Sequence, residues 1–471
     1  MKTLPLYLCL SMFICGSNVW AVPPVVPATA PLEIKVPAFE VKTLSCGLKV
    51  IFLKNDDMPL VSGNLLIPGG SILSPAGKEG LAALTGDILR NGGAGKLAPE
   101  AFDEALENQA TSMSVSAGLE SFSADFNCLS ENLSDVLDLF ADMLRQPQFD
   151  PKRLETDREE MVDGLNRVED TPDDLTRVLF TQSLFNGSSY GQTASPAAVA
   201  KLTRDDVMAF YRQSFGPAGS VLALAGNFDE DKAAAQLESL FAGWPAQAAP
   251  VTYADAKPLG PMIYFFPKDV SQVFIRLGYL GLKRHDPNDI PLQVANYILG
   301  GSGFASRLMQ HIRSDRGLAY FVETVALPYN IRGPFELIGG TRPDTVKEFL
   351  TLSFQMISDF AKTGPTDAEV DSAKTSMIEE YAYNFESPFS LAAYKASLDF
   401  NGYPDNYLAT YRDKVKAVTT AQAASAAKAV LSQGNWVLVV SGPADLERDL
   451  ESFGKVVTVK SVFDPLVTTK P

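Results

Sequence analysis

Histidine is almost absent from this 471-residue chain, which has only His285 and His311. A catalytic zinc takes three protein ligands, usually rich in imidazole. The two histidines lie 26 residues apart with no carboxylate in motif spacing, so a zinc site built by this chain alone is not expected. Both read as ordinary residues, His285 in the loop LKRHDPND and His311 on a helix. A cationic excess is missing too: the formal net charge is -16. That balance argues against nucleic acid or an anionic membrane as partner, and it leaves room for basic peptide ligands. Cysteine is scarce, with four residues, and beyond the N-terminus no apolar run approaches the roughly 20 residues of a membrane span. What is present is a 46% hydrophobic, 20% charged composition, enough to bury several cores and to divide into more than one domain.

The first 21 residues combine Lys2, an apolar run from Leu4 to Cys15 and the small-residue pattern Val19-Trp20-Ala21, which together predict a secretory signal cleaved after Ala21. Cys9 and Cys15 follow Leu8 and Ile14, not the small residue of a lipoprotein signal. Removal of this segment takes away one positive charge, Lys2, and makes the net charge -17. The expectation is a soluble exported protein, which in a bacterium means the periplasm. There an oxidising environment acts on the two remaining cysteines, Cys46 and Cys128. A disulfide between them and two separate thiols are the two readings.

VPPVVPATAP, residues 22–31, reads as an extended proline-rich lead-in. Alternating patterns in LEIKVPAFEVKTL, LKVIFLKN and LVSGNLLIPGG predict antiparallel strands. Helices are expected over Gly80–Leu89, and in PEAFDEALENQA with Pro99 in its first turn and Phe102, Leu106 and Ala110 on one face. A composition shift over residues 243–261 marks a linker, and the order of elements repeats across it. VLALAGNFDEDKAAAQLESLF is echoed by WVLVVSGPADLERDLESF, and LTRDDVMAFYRQSF by VTTAQAASAAKAVL. Two homologous halves, 32–242 and 262–465, each an antiparallel sheet layered with helices, place the chain in the α+β class.

GLAALTGDI, opening at Gly80, has the frame of an inverted zincin helix without its side chains. H-x-x-E-H sets two imidazoles one turn apart beside a carboxylate base, so that one helical face holds a metal and its water. Here Ala83, Gly86 and Asp87 fill those places. In this segment, and in REEMVDGLNRVEDTP from Arg158, the chain resembles the pitrilysin/insulinase family of inverted zinc peptidases, over nearly its whole mature length. Anchored on Glu169-Asp170-Thr171-Pro172, the resemblance puts the third metal ligand at Gly164, beside Asp163. It implies a clam-like chain whose own zinc motif is degenerate.

ILGGSGFASRLMQHIRSDRGLAYFVETV, residues 298–325, is similar to the family's C-terminal segment, where a glycine-rich loop leads through a helix to a strand. The resemblance implies that Arg313 holds a substrate carbonyl and that Tyr320 donates to the oxyanion. A fixed cation and a neutral phenol suit charge that develops in the transition state. Gly300, Gly301 and Gly303 are weaker substrate-binding candidates; no Lys-Ser or Lys-Thr follows, so they do not form a phosphate loop. From the residues alone, Leu308 and Ile312 form a packing face, Gly317 caps the helix, and Arg313 lies off that face.

Some members of that family divide the labour between two chains. The resemblance therefore implies a non-zinc subunit of a heterodimeric peptidase that binds no cofactor itself. It would serve the zinc of an H-x-x-E-H-bearing paralogous partner and act on peptides. Two other readings are a non-catalytic peptide-binding or assembly scaffold, and an independent enzyme with a Ser or Asp nucleophile. No G-x-S-x-G or S-x-x-K signature supports the last.

Overall fold

The computed structural model describes residues 35–246 and 253–466. The leader 1–21 and the lead-in 22–31 fall outside the described residues, as does 247–252 in the linker. The described residues from Val36 onward form one compact unit.

Six strands build a first sheet: β1 (Glu40–Thr43), β2 (Lys49–Lys54), β3 (Leu60–Pro68), β4 (Ser112–Ala117), β5 (Ser121–Leu129) and β6 (Val221–Gly226). Their spatial order is β1-β2-β6-β3-β5-β4. The second sheet holds β7 (Met262–Pro267), β8 (Val273–Leu280), β9 (Ala319–Ala326), β10 (Pro334–Thr341), β11 (Val437–Gly442) and β12 (Val456–Thr458), in the order β12-β7-β11-β8-β10-β9. Five strands match position for position across the halves, β2-β6-β3-β5-β4 against β7-β11-β8-β10-β9. The sixth does not: β1 pairs antiparallel with β2, whereas β12 comes from the C-terminal end and pairs parallel with β7.

The sheets are mixed, not purely antiparallel. β2 runs parallel to β6, and β7 to β11. Each pair is far apart in sequence, with helices carrying the chain back, which is what parallel neighbours require. The apolar runs of β6 and β11 follow from burial on both faces.

Each sheet has its own helical layer and also receives a helix from the other half. In the second half, Ile263, Phe265, Leu438 and Val440 face the helices Val346–Thr363 and Thr420–Leu431, whereas Tyr264, Phe266, Val437 and Val439 pack against Leu175, Leu179 and Phe180. Those last three lie on the helix Pro172–Leu184 of the first half. The fit requires Gly278 on β8, where an added Cβ would lie 2.3 Å from the Phe180 ring. In return, the helix Pro388–Phe400 lies against β6, β2 and β3, and Lys49 of β2 meets Asp399 of that helix at 2.5 Å.

Several local expectations change. Among the described residues of LEIKVPAFEVKTL only Glu40–Thr43 is a strand, with Pro37 unable to donate to a ladder ahead of it. The helix Pro99–Asn108 stops short of Ala110, whose φ of 47° takes it off the apolar face. The echo of the helix Glu230–Phe241 is a single turn, Glu447–Leu450. By contrast, Thr203 with Asp206 and Thr419 with Gln422 form the same capping box in the paired helices Arg204–Ser214 and Thr420–Leu431.

The two cysteines are free. Cys128 is buried on β5, one strand beyond β3, while Cys46 turns between β1 and β2. The register places them at opposite ends of the sheet, Cys128 level with Val61 and Lys54 and Cys46 beyond Lys49. With strands about 4.8 Å apart, a disulfide span of about 6 Å is out of reach.

Candidate functional site

The helix Leu81–Asn91 opens at Gly80, whose φ of 98° suits glycine, and buries Leu81, Leu84, Ile88 and Leu89. It runs antiparallel to the helix Pro151–Asn166. Asn91 Nδ2 donates to Asp157 Oδ1 at 3.1 Å, Asp87 faces Asp157 and Glu160, and Gly80 packs on Met161. That register puts Gly164 one turn further along the same face, where it is exposed with nothing within 4 Å of its Cβ position. Ala83, Asp87 and Gly164 thus lie along the groove between the two helices, with Gly86 buried behind them against β4, and beside Ala83 lies a recess of about 130 Å³ walled by Gly80, Ala117, Met161 and Ala194.

This groove does not fit zinc. Of the four positions only Asp87 carries a donor atom. At Gly86 a Cβ would lie 3.3 Å from the Val115 carbonyl of β4, so the helix sits too close to the strand for a base to be added freely. Among the described residues no group of three or more His, Cys, Asp and Glu side chains is placed to hold a metal ion. What remains is acidic: partial burial, then the charges of Asp157 and Glu160, push the Asp87 carboxyl up to about 6. The Asp87 side chain still reaches solvent, which moderates that rise. Asp157 is itself raised, by burial first, and its Oδ2 has no partner.

The pseudo-equivalent face of the second half is built differently. The helix Asp289–Asn296 continues into a π-type turn, Tyr297–Gly301, packed on β9. Gly300 and Gly301 are therefore packing residues within a helical turn and not an open loop. A Cβ at Gly300 would lie 2.5 Å from Thr324 Oγ1, and one at Gly301 2.8 Å from Asn296 Nδ2. Gly303, with φ 56°, is open. A helical stretch with π character, Met309–Ser314, follows; it buries Ile312, and Gly317 caps it through N–H to the Arg313 carbonyl.

Two arginines of this segment differ sharply. Arg307 is locked by two 2.6 Å bonds to Glu369, which hold that carboxyl down at about 2. The Arg313 side chain makes no hydrogen bond or ion pair among the described residues, and its guanidinium lies near two rings, 4.7 Å from the centroid of Phe304 and 5.6 Å from that of Tyr320. Tyr320 is 75% exposed and Phe304 66%. Tyr320 stands on β9, the edge strand of the second sheet. The cluster thus brings a partly exposed guanidinium and an exposed phenol together at the surface. Phe304 escaped the sequence reading; its signal is a lone aromatic in a Gly-Ser stretch. The remaining histidines stand apart: His285 Nε2 contacts the Asn401 carbonyl at 2.8 Å, and His311 pairs with Asp315 at 3.0 Å.

Comparison with known proteins matches residues 49–196 to the insulinase family, peptidase family M16, and residues 201–377 to the peptidase M16 inactive domain. The chain belongs to the M16 peptidase family. Among curated M16-like relatives it is 28% identical over 288 residues to an uncharacterized zinc protease of Streptomyces coelicolor, covering 57% of this chain and 62% of that relative. It is 25% identical over 379 residues to a non-peptidase homolog of Helicobacter pylori, covering 79% of this chain and 86% of the relative. A solved structure described as a peptidase M16 inactive domain from Pseudomonas fluorescens superposes with a TM-score of 0.80 at 25% identity, covering 87% of this chain and 98% of that one. These matches agree with an M16 chain that is an inactive member of its family. No helix among the described residues is long and apolar enough to cross a membrane.

Proposed function

We propose that this chain is the non-zinc subunit of an exported, two-chain zinc metallopeptidase, and that it supplies Arg313 and Tyr320 to the active site of a paralogous H-x-x-E-H-bearing partner. The observation that carries this reading is the Phe304–Arg313–Tyr320 cluster: a cation from the helical stretch Met309–Ser314 and a phenol from the edge strand β9, side by side, with no side-chain hydrogen-bond partner among the described residues. The half-buried Arg307 nearby is paired with Glu369; a half-buried arginine left without such a partner suits an acceptor that arrives from outside. In that role the guanidinium holds a peptide carbonyl and the Tyr320 hydroxyl donates to oxygen as negative charge grows on it. Zinc belongs to the partner, because the groove at Ala83, Gly86, Asp87 and Gly164 lacks the donors. Peptide backbone would be held by strand addition at a sheet edge, for which β4 and β9 are the candidates.

The signal-like N-terminus supports a periplasmic location. Co-purification from the native source, followed by reading the partner's sequence for H-x-x-E-H, tests the reading. Recovery of the chain alone, or with partners lacking that motif, would turn it toward the second reading, a peptide-binding or assembly scaffold. That second reading is favoured by the non-peptidase name of the Helicobacter relative.

A further inference from the structure

A cavity of about 440 Å³ opens on the second half between the loop that precedes the helix Asp289–Asn296 and the helix Tyr407–Lys416. It shares no residue with the Arg313 stack, and its size falls within the range of small-ligand pockets. Its walls have a definite chemistry. The His285 ring lies 4.7 Å from Tyr403, and Tyr403 lies 4.6 Å from Tyr407, so three aromatic groups form a continuous surface. His285 is held there at a φ of 66°, a conformation rare outside glycine, by its contact with the Asn401 carbonyl.

Asp289 also lines the cavity. Its carboxyl is mostly buried, has no ion-pair partner among the described residues, and accepts only a 3.3 Å bond from Gln293 Nε2. Burial, the largest influence on it, raises its pKa; the charge of Asp286 adds to the rise, and the Gln293 bond, His285 and Arg284 only partly offset it. At the rim, the Lys414 ammonium already lies over the Tyr407 ring, 4.6 Å from its centroid. The molecule therefore displays on its own side chain what these rings attract.

We propose that this cavity binds an alkylammonium group, with the charge on Asp289 and the alkyl stem against His285 and Tyr403. Two sources share that chemistry, a lysine side chain on a peptide and a free aliphatic diamine. The opposite assignment, an anion held by Lys414, predicts variant effects of the opposite sign.

The test is a titration of the full mature chain, with ring-labelled tyrosine followed by NMR, using Nα-acetyl-lysine methylamide and putrescine as probes and Nα-acetyl-glutamate methylamide as control. The expected result is saturable shifts of the Tyr403 and Tyr407 signals by at least one amine, the tighter of the two naming the source. Asp289→Asn should weaken binding at least about tenfold, the loss of one charge-assisted partner. Tyr403→Leu, which keeps the charge, should weaken it also. Lys414→Gln, an exposed change that removes the built-in competitor, should tighten it by about threefold or more. Thermal melting of each variant separates loss of binding from loss of fold. No saturation by about 20 mM amine, unchanged affinity in Asp289→Asn, weaker amine binding in Lys414→Gln, or preference for the glutamate probe would each overturn the proposal.

Discussion

Arg276 on β8 and Glu336 on β10 meet at 2.6 Å inside the second sheet, both buried, and the other arm of Arg276 reaches Asp173 at 2.6 Å on the helix lent by the first half. Burial is the largest influence on Glu336 and raises its pKa even beside the guanidinium. Removing the cation would strand that carboxylate. Arg276→Met is expected to cost roughly 3–5 kcal/mol in urea unfolding, and a combined Arg276→Met, Glu336→Leu change should recover much of it. A single variant within about 1 kcal/mol of wild type would show that the network contributes little.

Tyr320→Phe removes one hydroxyl and almost no volume. If Tyr320 serves a partner's oxyanion, turnover of an unstructured peptide by the reconstituted pair should fall roughly a hundredfold, about 3 kcal/mol, with assembly and the partner's zinc content unchanged. Arg313→Ala should lower activity too, with a larger share appearing in KM. Wild-type turnover by both variants would favour the scaffold reading.

Phe304→Ala removes the ring beside the Arg313 guanidinium and leaves both donors, Arg313 and Tyr320, in place. The stacking is worth about 0.5–1 kcal/mol at an exposed site, so a loss of activity of roughly two- to fivefold is expected, with Phe304→Tyr close to wild type. An Arg313→Ala effect without any Phe304→Ala effect would separate the guanidinium's role from that of its stack.

Asp87 gives a pH dependence with a definite sign. Its pKa stands near 6 in the folded chain against 3.8 in the reference state, so the folded chain holds its proton more tightly. Stability from this group is present below about pH 4 and is lost as pH rises through about 6. Asp87→Asn should therefore match wild type in acid and exceed it at pH 7–8, by less than about 1 kcal/mol because the side chain reaches solvent. Paired melting curves across that range check it; a variant less stable at pH 8 would mean the carboxylate has a favourable partner.

The chain alone is expected to bind no stoichiometric zinc and to cleave no peptide. Changing Ala83→His, Gly86→Glu and Asp87→His together should not restore activity. Gly164 still lacks a ligand, and a side chain at Gly86 presses on the Val115 carbonyl. Metal analysis of the purified triple variant, alongside a peptide cleavage assay, checks this.

The site was legible in sequence where chemistry depends on residue type. Ala83, Gly86 and Gly164 cannot bind metal in any fold, and Arg313 and Tyr320 stand out through family resemblance. What depended on distance was not legible. Nothing local in GGSGFAS distinguishes packing glycines from a loop, because Thr324, which Gly300 must accommodate, comes 24 residues later. The parallel pairing of β2 with β6 and of β7 with β11 likewise joins segments more than 150 residues apart. Cys46 and Cys128 offered two readings until register placed them at opposite ends of a sheet.

The exchange of the helices Pro172–Leu184 and Pro388–Phe400 makes the linker a poor place to cut the chain in two. A fragment ending before Met262 would carry Leu175, Leu179 and Phe180 with no sheet to cover, and would leave its own β6 and β2 bare where the helix Pro388–Phe400 belongs. Each half is in this sense an incomplete globule whose missing roof is encoded by the other.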